Sequence, residues 1–416
     1  MNAPLGLKMT LRRAVTPVAR AARRSVLPLI LPRPAHRWPS HLHDLRVVGL
    51  LSSSSGLGKS ARLCMDALGG AGYGVSGVDV GSLYQSDDGL SFPASAEKRG
   101  PAQLSIYHLN PPMLLPGIMR ANPLRFLRTF NVGYWAWELE TLPREWIETI
   151  RFVDAVMVPS SFCKRAVERH TDKPVLVVPH PVPLRTELQP VPAVDRFRVV
   201  SIFNFGSSFE RKNPLAAIRA FRGAFGSDEN AELVLKVSDG GKYPGDRARL
   251  MVEIGDAGNI RLIDEVWDEA RLDGFLATAS AYLSLHRSEG FGLTLAEAIA
   301  AGVPVVTTNW SGSTDFARPD LCFPVEYDLI PVRDRHLSFA DMDGAVWAEP
   351  SVVHASIQLR HLRDGQSAAR AAALKLRDHL RDHLAARTYE AATDRLAAAG
   401  EAGRGVVERD TVGAEP

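Results

Sequence analysis

Cysteine is scarce in this chain: Cys64, Cys163 and Cys322 are the only three in 416 residues, odd in number and far apart. That pattern excludes a disulfide framework and offers no zinc-ligand spacing, so a reducing cytoplasm is the expected compartment. Long apolar runs are also missing. None approaches the roughly 20 residues that a membrane-spanning helix needs. The best candidate for a signal-peptide core, Val26 to Leu31, is short and broken by Pro28. Acidic residues are absent from residues 1–43, which hold eight basic ones: Lys8, Arg12, Arg13, Arg20, Arg23, Arg24, Arg33 and Arg37. The remainder carries 41 Lys or Arg against 47 Asp or Glu, so a mildly acidic body follows a basic arm. The arm is expected either to be disordered and solvated or to rest on anionic lipid, where each basic residue contributes about 1 kcal/mol. No nucleic-acid partner is implied.

The length suffices for two or three domains with real cores. Short apolar runs alternate with helical patterns through 44–185. Strands are expected at 46–51, 104–108, 130–134, 155–158 and 175–178, with a turn at 52–58 and a helix at 59–68. Pro179, Pro181, Pro183, Pro190 and Pro192 then mark a linker. A second alternating series fills 186–365, with strands at 197–203, 232–237, 260–263, 281–285 and 302–308. Its helices are expected at 214–225, 246–254 and 269–277. Residues 366–400 are expected to be a C-terminal helical segment and 401–416 a frayed tail. Such alternation implies α/β architecture, with parallel sheets covered on both faces.

One segment concentrates chemistry: Ser288-Glu289-Gly290-Phe291-Gly292-Leu293-Thr294-Leu295-Ala296-Glu297. It reads as a glycine turn opening a short helix, with Leu295 and Ile299 on one face and Gly302 past its end. A helix start offers unpaired N–H groups, here near Leu293 and Thr294, and Gly290 and Gly292 let the backbone approach a ligand. A diphosphate suits that end. Glu289 and Glu297 would then accept from hydroxyls at the two ends of one elongated ligand. Taken alone, the same pair reads better as two solvated carboxylates, and it is the strand–glycine turn–helix–strand context that turns the reading toward a ligand.

Other clusters add to this. Arg211 and Lys212 precede a helix beginning at Pro214, a cationic pair suited to a diphosphate, Lys as a point charge and Arg as a fork. The run Ser52 to Ser60 nearly spells a phosphate loop, but Ser53 stands where that motif needs glycine, so triphosphatase chemistry is not expected. Tyr134, Trp135 and Trp137 beside Glu138 combine aromatic faces with one acid, suited to a sugar ring and equally to a core. His379 and His383 lie four apart beside a stripe of Leu376, Leu380 and Leu384, without further metal ligands at a fitting spacing.

The Glu-x7-Glu segment, the run Ser284-Leu285-His286-Arg287-Ser288-Glu289-Gly290-Phe291-Gly292 and the later Trp310-Ser311-Gly312-Ser313-Thr314-Asp315-Phe316 resemble family-four retaining glycosyltransferases. The likeness runs from about Val47 to Leu362. It implies a GT-B fold, two Rossmann-like domains whose parallel sheets face a central cleft, the first for the acceptor and the second for a nucleotide sugar. It implies Glu297 on the ribose hydroxyls, Lys212 with the N–H groups near Leu293 and Thr294 on the diphosphate, and Glu289, Gly290, Phe291 and Gly292 on the sugar. Arg211 or Ser207 would replace an arginine that many members carry about six residues before Lys212. Gly56 and Gly58 match the family's N-domain glycine loop, and Arg62 matches too, although Lys59 stands where an acid is usual. Many members place a histidine near the reacting carbon; here Tyr134 to Trp137 replace it, with Glu138 the titratable neighbour and His108 a weaker candidate. The implied catalytic set is Glu289, Lys212 and Glu138.

No metal or other cofactor is implied by the resemblance. A polysaccharide or lipid-linked glycan is the implied acceptor class, used in the cytoplasm or at the inner face of a membrane. The alternatives on the same fold are a sugar-nucleotide epimerase or phosphorylase, and a catalytically silent assembly partner. Val158-Pro159-Ser160-Ser161-Phe162 and Trp347-Ala348-Glu349-Pro350 are shared with the same subset and read as structural.

Overall fold

The computed structural model describes residues 38–39, 42–84, 88–90, 92, 102–184, 196–334, 336–339 and 342–398. Nearly all of the basic arm, part of the proline linker and the tail at 401–416 lie outside the described residues. The first sheet is built from β1 (Asp44–Gly49), β2 (Gly74–Asp79), β3 (Leu104–His108), β4 (Phe130–Tyr134), β5 (Ala155–Val158) and β6 (Val175–Val177). All pair in parallel, in the order β2-β1-β3-β4-β5-β6. The second contains β7 (Phe197–Asn204), β8 (Ala231–Ser238), β9 (Ile260–Asp264), β10 (Ala281–Ser284), β11 (Val305–Thr308) and β12 (Phe323–Val325). It too is parallel, ordered β12-β11-β10-β7-β8-β9. β3 and β5 are buried along their whole length, because helices cover both faces and leave no solvent side for polar alternation.

Several elements depart from the sequence reading. β2 was not expected: Gly74 and Gly77 interrupt its apolar run, and its place at the sheet edge leaves five of its six residues half-buried. The expected turn at 52–58 is shorter, because helix α1 (Gly56–Gly70) starts inside it. Ser55 caps that helix by accepting from the Gly58 N–H. A Cβ on Gly58 would lie 2.4 Å from the Ser53 carbonyl oxygen and 2.6 Å from that of Leu50, so the first helical turn packs on the strand end only as glycine.

Trp347-Ala348-Glu349-Pro350 lies in β14 (Val346–Pro350), paired antiparallel with β13 (Tyr327–Pro331). The hairpin carries Phe339, Met342 and Trp347 into the core of the first domain, beside Trp137 and Trp146. The Trp137 and Phe339 rings are 5.7 Å apart between centroids. The helical segment expected over 366–400 is broken. One helix, Gln366–Ala385, packs on the second domain, whereas the helix at 389–398 returns to the first, burying Tyr389, Ala392 and Leu396 against its sheet. At the other end, Trp38 meets Phe130 edge-on at 5.0 Å, so the chain already rests on the first domain before β1. Hairpin and final helix tie the two domains together across the cleft. No helix among the described residues is long and apolar enough to cross a membrane.

Candidate functional site

A cleft of about 810 Å³ lies between the domains. Its walls come from the segments that follow the C-terminal ends of β1, β3 and β4 on one side and of β7, β8, β9 and β10 on the other. In open parallel sheets that edge is where ligands bind, since the loops there are free to vary while the strands hold them in register.

Glu289 sits just after β10, 8% exposed, and is gripped by two cations. Lys212 donates to its Oε1, and the Arg211 guanidinium lies 3.0 Å from its Oε2. Arg211 is itself buried and donates to the carbonyls of Ser288 at 2.9 Å and Ser207 at 2.8 Å, so its fork is held rigidly. Its other edge lies 3.5 Å from Glu138 of the first domain. Burial pushes the Glu289 carboxyl up, but Lys212 and Arg211 outweigh it and bring it down to about 2. Burial pushes Glu138 up, with Arg211 opposing and Glu289 adding to the rise. Burial lowers Lys212, aided by Arg211 and opposed by Glu289.

The backbone of the glycine loop is fixed from both domains. Ser160 donates to the Gly290 carbonyl at 2.6 Å, and the Gly312 N–H donates to that of Glu289 at 2.9 Å. A Cβ on Gly290 would meet the Trp137 carbonyl oxygen at 2.9 Å, while Gly292 has a φ of 96° that side chains disfavour. Helix α2 (Leu293–Ala300) then starts with no side chain capping it, leaving its first N–H groups to the cleft. Glu297, in this helix, is 8% exposed.

Glu289, Glu297, Gly290, Phe291, Gly292, Leu293, Thr294, Arg211, Lys212, Ser207, Glu138 and Gly56 all line one cleft. Gly58 stands behind it as packing. Tyr134 and Trp135 are core residues, at 1% and 0% exposure, because β4 and the residue after it are covered on both faces. Trp137 is buried too, although it borders the cleft. His108 is 1% exposed, sealed behind Ser60 and Tyr389, and does not line the cleft. His383 is buried and lies 3.2 Å from Arg387, and no group of three His, Cys, Asp or Glu side chains that could hold a metal exists among the described residues.

Lys59 lines the site although patterning did not place it there, and His180 does likewise. The Lys59 ammonium donates to Glu297 across the cleft and lies 3.6 Å from Glu269. The available signal was its departure from the acid usual after the glycine loop. Burial alone would lower its pKa, but Glu297 more than offsets this and the net direction is up.

Among the described residues four imidazoles are buried and held neutral, and this has a measurable consequence. Burial holds His180 at about 3 and His286 and His383 at about 4, with His108 also depressed. Unfolded, each titrates near 6.5. As pH falls below about 6.5 the unfolded chain gains protons that the folded one refuses, so stability is complete above that value and erodes toward pH 3–4. The melting temperature should therefore fall between pH 7 and pH 5, and His286→Gln should reduce the fall. A flat profile over that range would contradict the burial of these rings.

Residues 160–396 match the family model described as "GT4-conflict: Family 4 Glycosyltransferase in conflict systems". No curated protein matches the sequence. Among solved structures, Anabaena Alr3699/HepE in complex with UDP-glucose aligns over 87% of this chain and 100% of its own, with a TM-score of 0.60 and 11% identity. The lipopolysaccharide outer core galactosyltransferase WaaB, in its apo form, aligns over 83% of this chain and 99% of its own, with a TM-score of 0.51 and 13% identity. The chain spans about half the length of the pneumococcal O-GlcNAc transferase GtfA, covering 56% of it and 70% of itself at a TM-score of 0.49 and 14% identity. At such identities the likeness is one of fold, and the fold is GT-B.

Proposed function

We propose, from the premise that this chain belongs to the family-four glycosyltransferases of conflict systems, that it moves a sugar from a nucleoside diphosphate to an alcohol acceptor with retention of configuration. The observation that carries this is the convergence of both glutamates of the Glu-x7-Glu segment on one interdomain cleft, with Lys212, Arg211 and an uncapped helix start beside them. The HepE complex with UDP-glucose favours a donor of the same chemical class.

Glu297 accepts from the ribose hydroxyls through the oxygen that Lys59 leaves free. The diphosphate lies against Lys212 and the N–H groups of Leu293 and Thr294. Glu289 and the backbone of Gly290 and Phe291 fix the sugar, and Glu138 faces it from the first domain. As the glycosidic bond breaks, negative charge grows on the departing diphosphate, and fixed donors stabilise it without reorganising. The acceptor attacks on the face the diphosphate leaves, a phosphate oxygen taking its proton, so no protein nucleophile is required. The donor's charge rests on these side chains and amides rather than on a metal.

Incubation with a panel of nucleotide sugars, in the presence of a chelator, tests this by release of nucleoside diphosphate. Interconversion of the nucleotide sugar without release would favour an epimerase. A requirement for inorganic phosphate would favour a phosphorylase, and binding without turnover a silent partner.

The acceptor is a glycan or lipid-linked glycan, and the eight basic residues of 1–43 support work at an anionic membrane surface. Deleting 1–37, which removes all eight basic residues and keeps Trp38 and Leu42 on the first domain, should abolish sedimentation with anionic vesicles at low salt and leave transfer to a soluble acceptor unchanged; full-length protein that ignores such vesicles would remove the membrane from the account.

A further inference from the structure

We infer that His180 holds a substrate hydroxyl in the cleft, its Nε2 accepting a hydrogen bond from the transferred sugar or from the acceptor alcohol; this rests on the glycosyl-transfer function proposed above. His180 is the third residue of the connection that leaves the first domain after β6, and it lines the cleft beside Ser60 and Phe291. Its ring stands edge-on to Phe291, 5.0 Å between centroids and 87° between planes. Phe291 belongs to the loop that faces the sugar, so His180 borders the reacting end of the donor rather than its nucleoside end.

The hydrogen bonds behind the ring decide which nitrogen carries the proton. Tyr134 donates to the Val178 carbonyl at 2.7 Å, so its oxygen is left to accept from His180 Nδ1, 3.1 Å away. Ser60 Oγ lies 3.0 Å from His180 Nδ1 and 3.0 Å from His108 Nδ1. With a proton on His180 Nδ1, Ser60 accepts from it and donates its own O–H to His108 Nδ1. His108 Nε2 then donates to the Tyr389 oxygen at 3.3 Å. The His180 Nδ1–H is thus shared between Ser60 and Tyr134, while the Ser60, His108 and Tyr134 donors each have one acceptor. The remaining nitrogen, His180 Nε2, is a bare lone pair, and it has no hydrogen-bond partner among the described residues.

The groups against the ring are Ser60, Tyr134 and Phe291, with His108 behind Ser60, and none is charged at neutral pH. Burial holds the imidazole at about 3, so it stays neutral and acts as an acceptor rather than as a general base or a cation. A buried neutral acceptor turned toward a sugar or alcohol selects for a hydroxyl, because a group without a donor would leave the lone pair unsatisfied.

Two substitutions separate this role from packing. An asparagine amide reproduces Nδ1 and its bonds to Ser60 and Tyr134, whereas a glutamine amide reaches the place of Nε2. His180→Asn should retain nucleoside-diphosphate affinity and melting temperature but lose about tenfold to 100-fold in kcat/KM for transfer, and His180→Gln should recover most of it. The wild-type rate should show no inflection from this group between pH 5 and 8. Loss of acceptor-free donor hydrolysis alongside transfer assigns the hydroxyl to the sugar, and loss of transfer alone assigns it to the acceptor. Equal activity of the wild type and His180→Asn, or Asn outperforming Gln, would overturn the inference while leaving the transferase function standing. A wild type that turns over no nucleotide sugar would instead fail that function and take this inference with it.

Discussion

Lys212→Ala should lower turnover about 100-fold or more, with little change in the melting temperature. Its ammonium and the Arg211 guanidinium share one carboxylate, so Glu289 keeps a partner 3.0 Å away when Lys212 is removed and the buried charge is not orphaned. Folding is therefore spared. Chemistry is not, because the diphosphate gains charge as the sugar departs and a fixed ammonium is worth more in that state than before it. Losing one well-placed stabilising donor costs about 2.7–4 kcal/mol of barrier, which is about 100-fold to 1,000-fold in rate. Single-turnover kinetics at saturating donor would measure this directly. A near-normal rate would transfer the role to Arg211 or to the Ser207–Ser208 turn.

Glu297→Gln should act differently, weakening donor binding more than it slows the chemical step. Ribose contacts are the same in ground and transition states, so their loss raises Kd and leaves kcat largely alone. Removing a charged acceptor costs about 1.5–3 kcal/mol, about 10-fold to 150-fold in affinity. The substitution also releases Lys59 from its partner, leaving Glu269 at 3.6 Å as its nearest carboxylate. Titration calorimetry with the nucleoside diphosphate reads the effect without turnover. Unchanged affinity would remove Glu297 from the donor site.

Much of this architecture was legible because parallel strands covered on both faces are rich in apolar residues and carry no alternating solvent face. The spans at 104–108, 130–134 and 155–158 coincide with β3, β4 and β5. The segment from Ser288 to Glu297 was legible for another reason: two glycines before a short apolar helix imply a close backbone approach, and Gly290 against the Trp137 carbonyl is such an approach. What stayed hidden depends on contacts between distant parts of the chain. Nothing local in Tyr327 to Pro350 says that its hairpin will enter the other domain's core, or that Tyr389 will return to the first sheet. Tyr134 and Trp135 were ambiguous for the same reason, since an aromatic at a strand end faces a core or a ligand according to what packs opposite. Lys59, seen locally, is only a basic residue where an acid is usual. Its meaning required Glu297, 238 positions later, to be placed across the cleft.

The most direct measurement is a crystal structure of the protein with the nucleoside diphosphate that the panel identifies. The ribose hydroxyls should lie within hydrogen-bond distance of Glu297, and the diphosphate should touch Lys212 and the N–H groups of Leu293 and Thr294. A nucleotide bound outside the interdomain cleft, or one bound inside it with Glu297 engaged only by Lys59, would contradict the account.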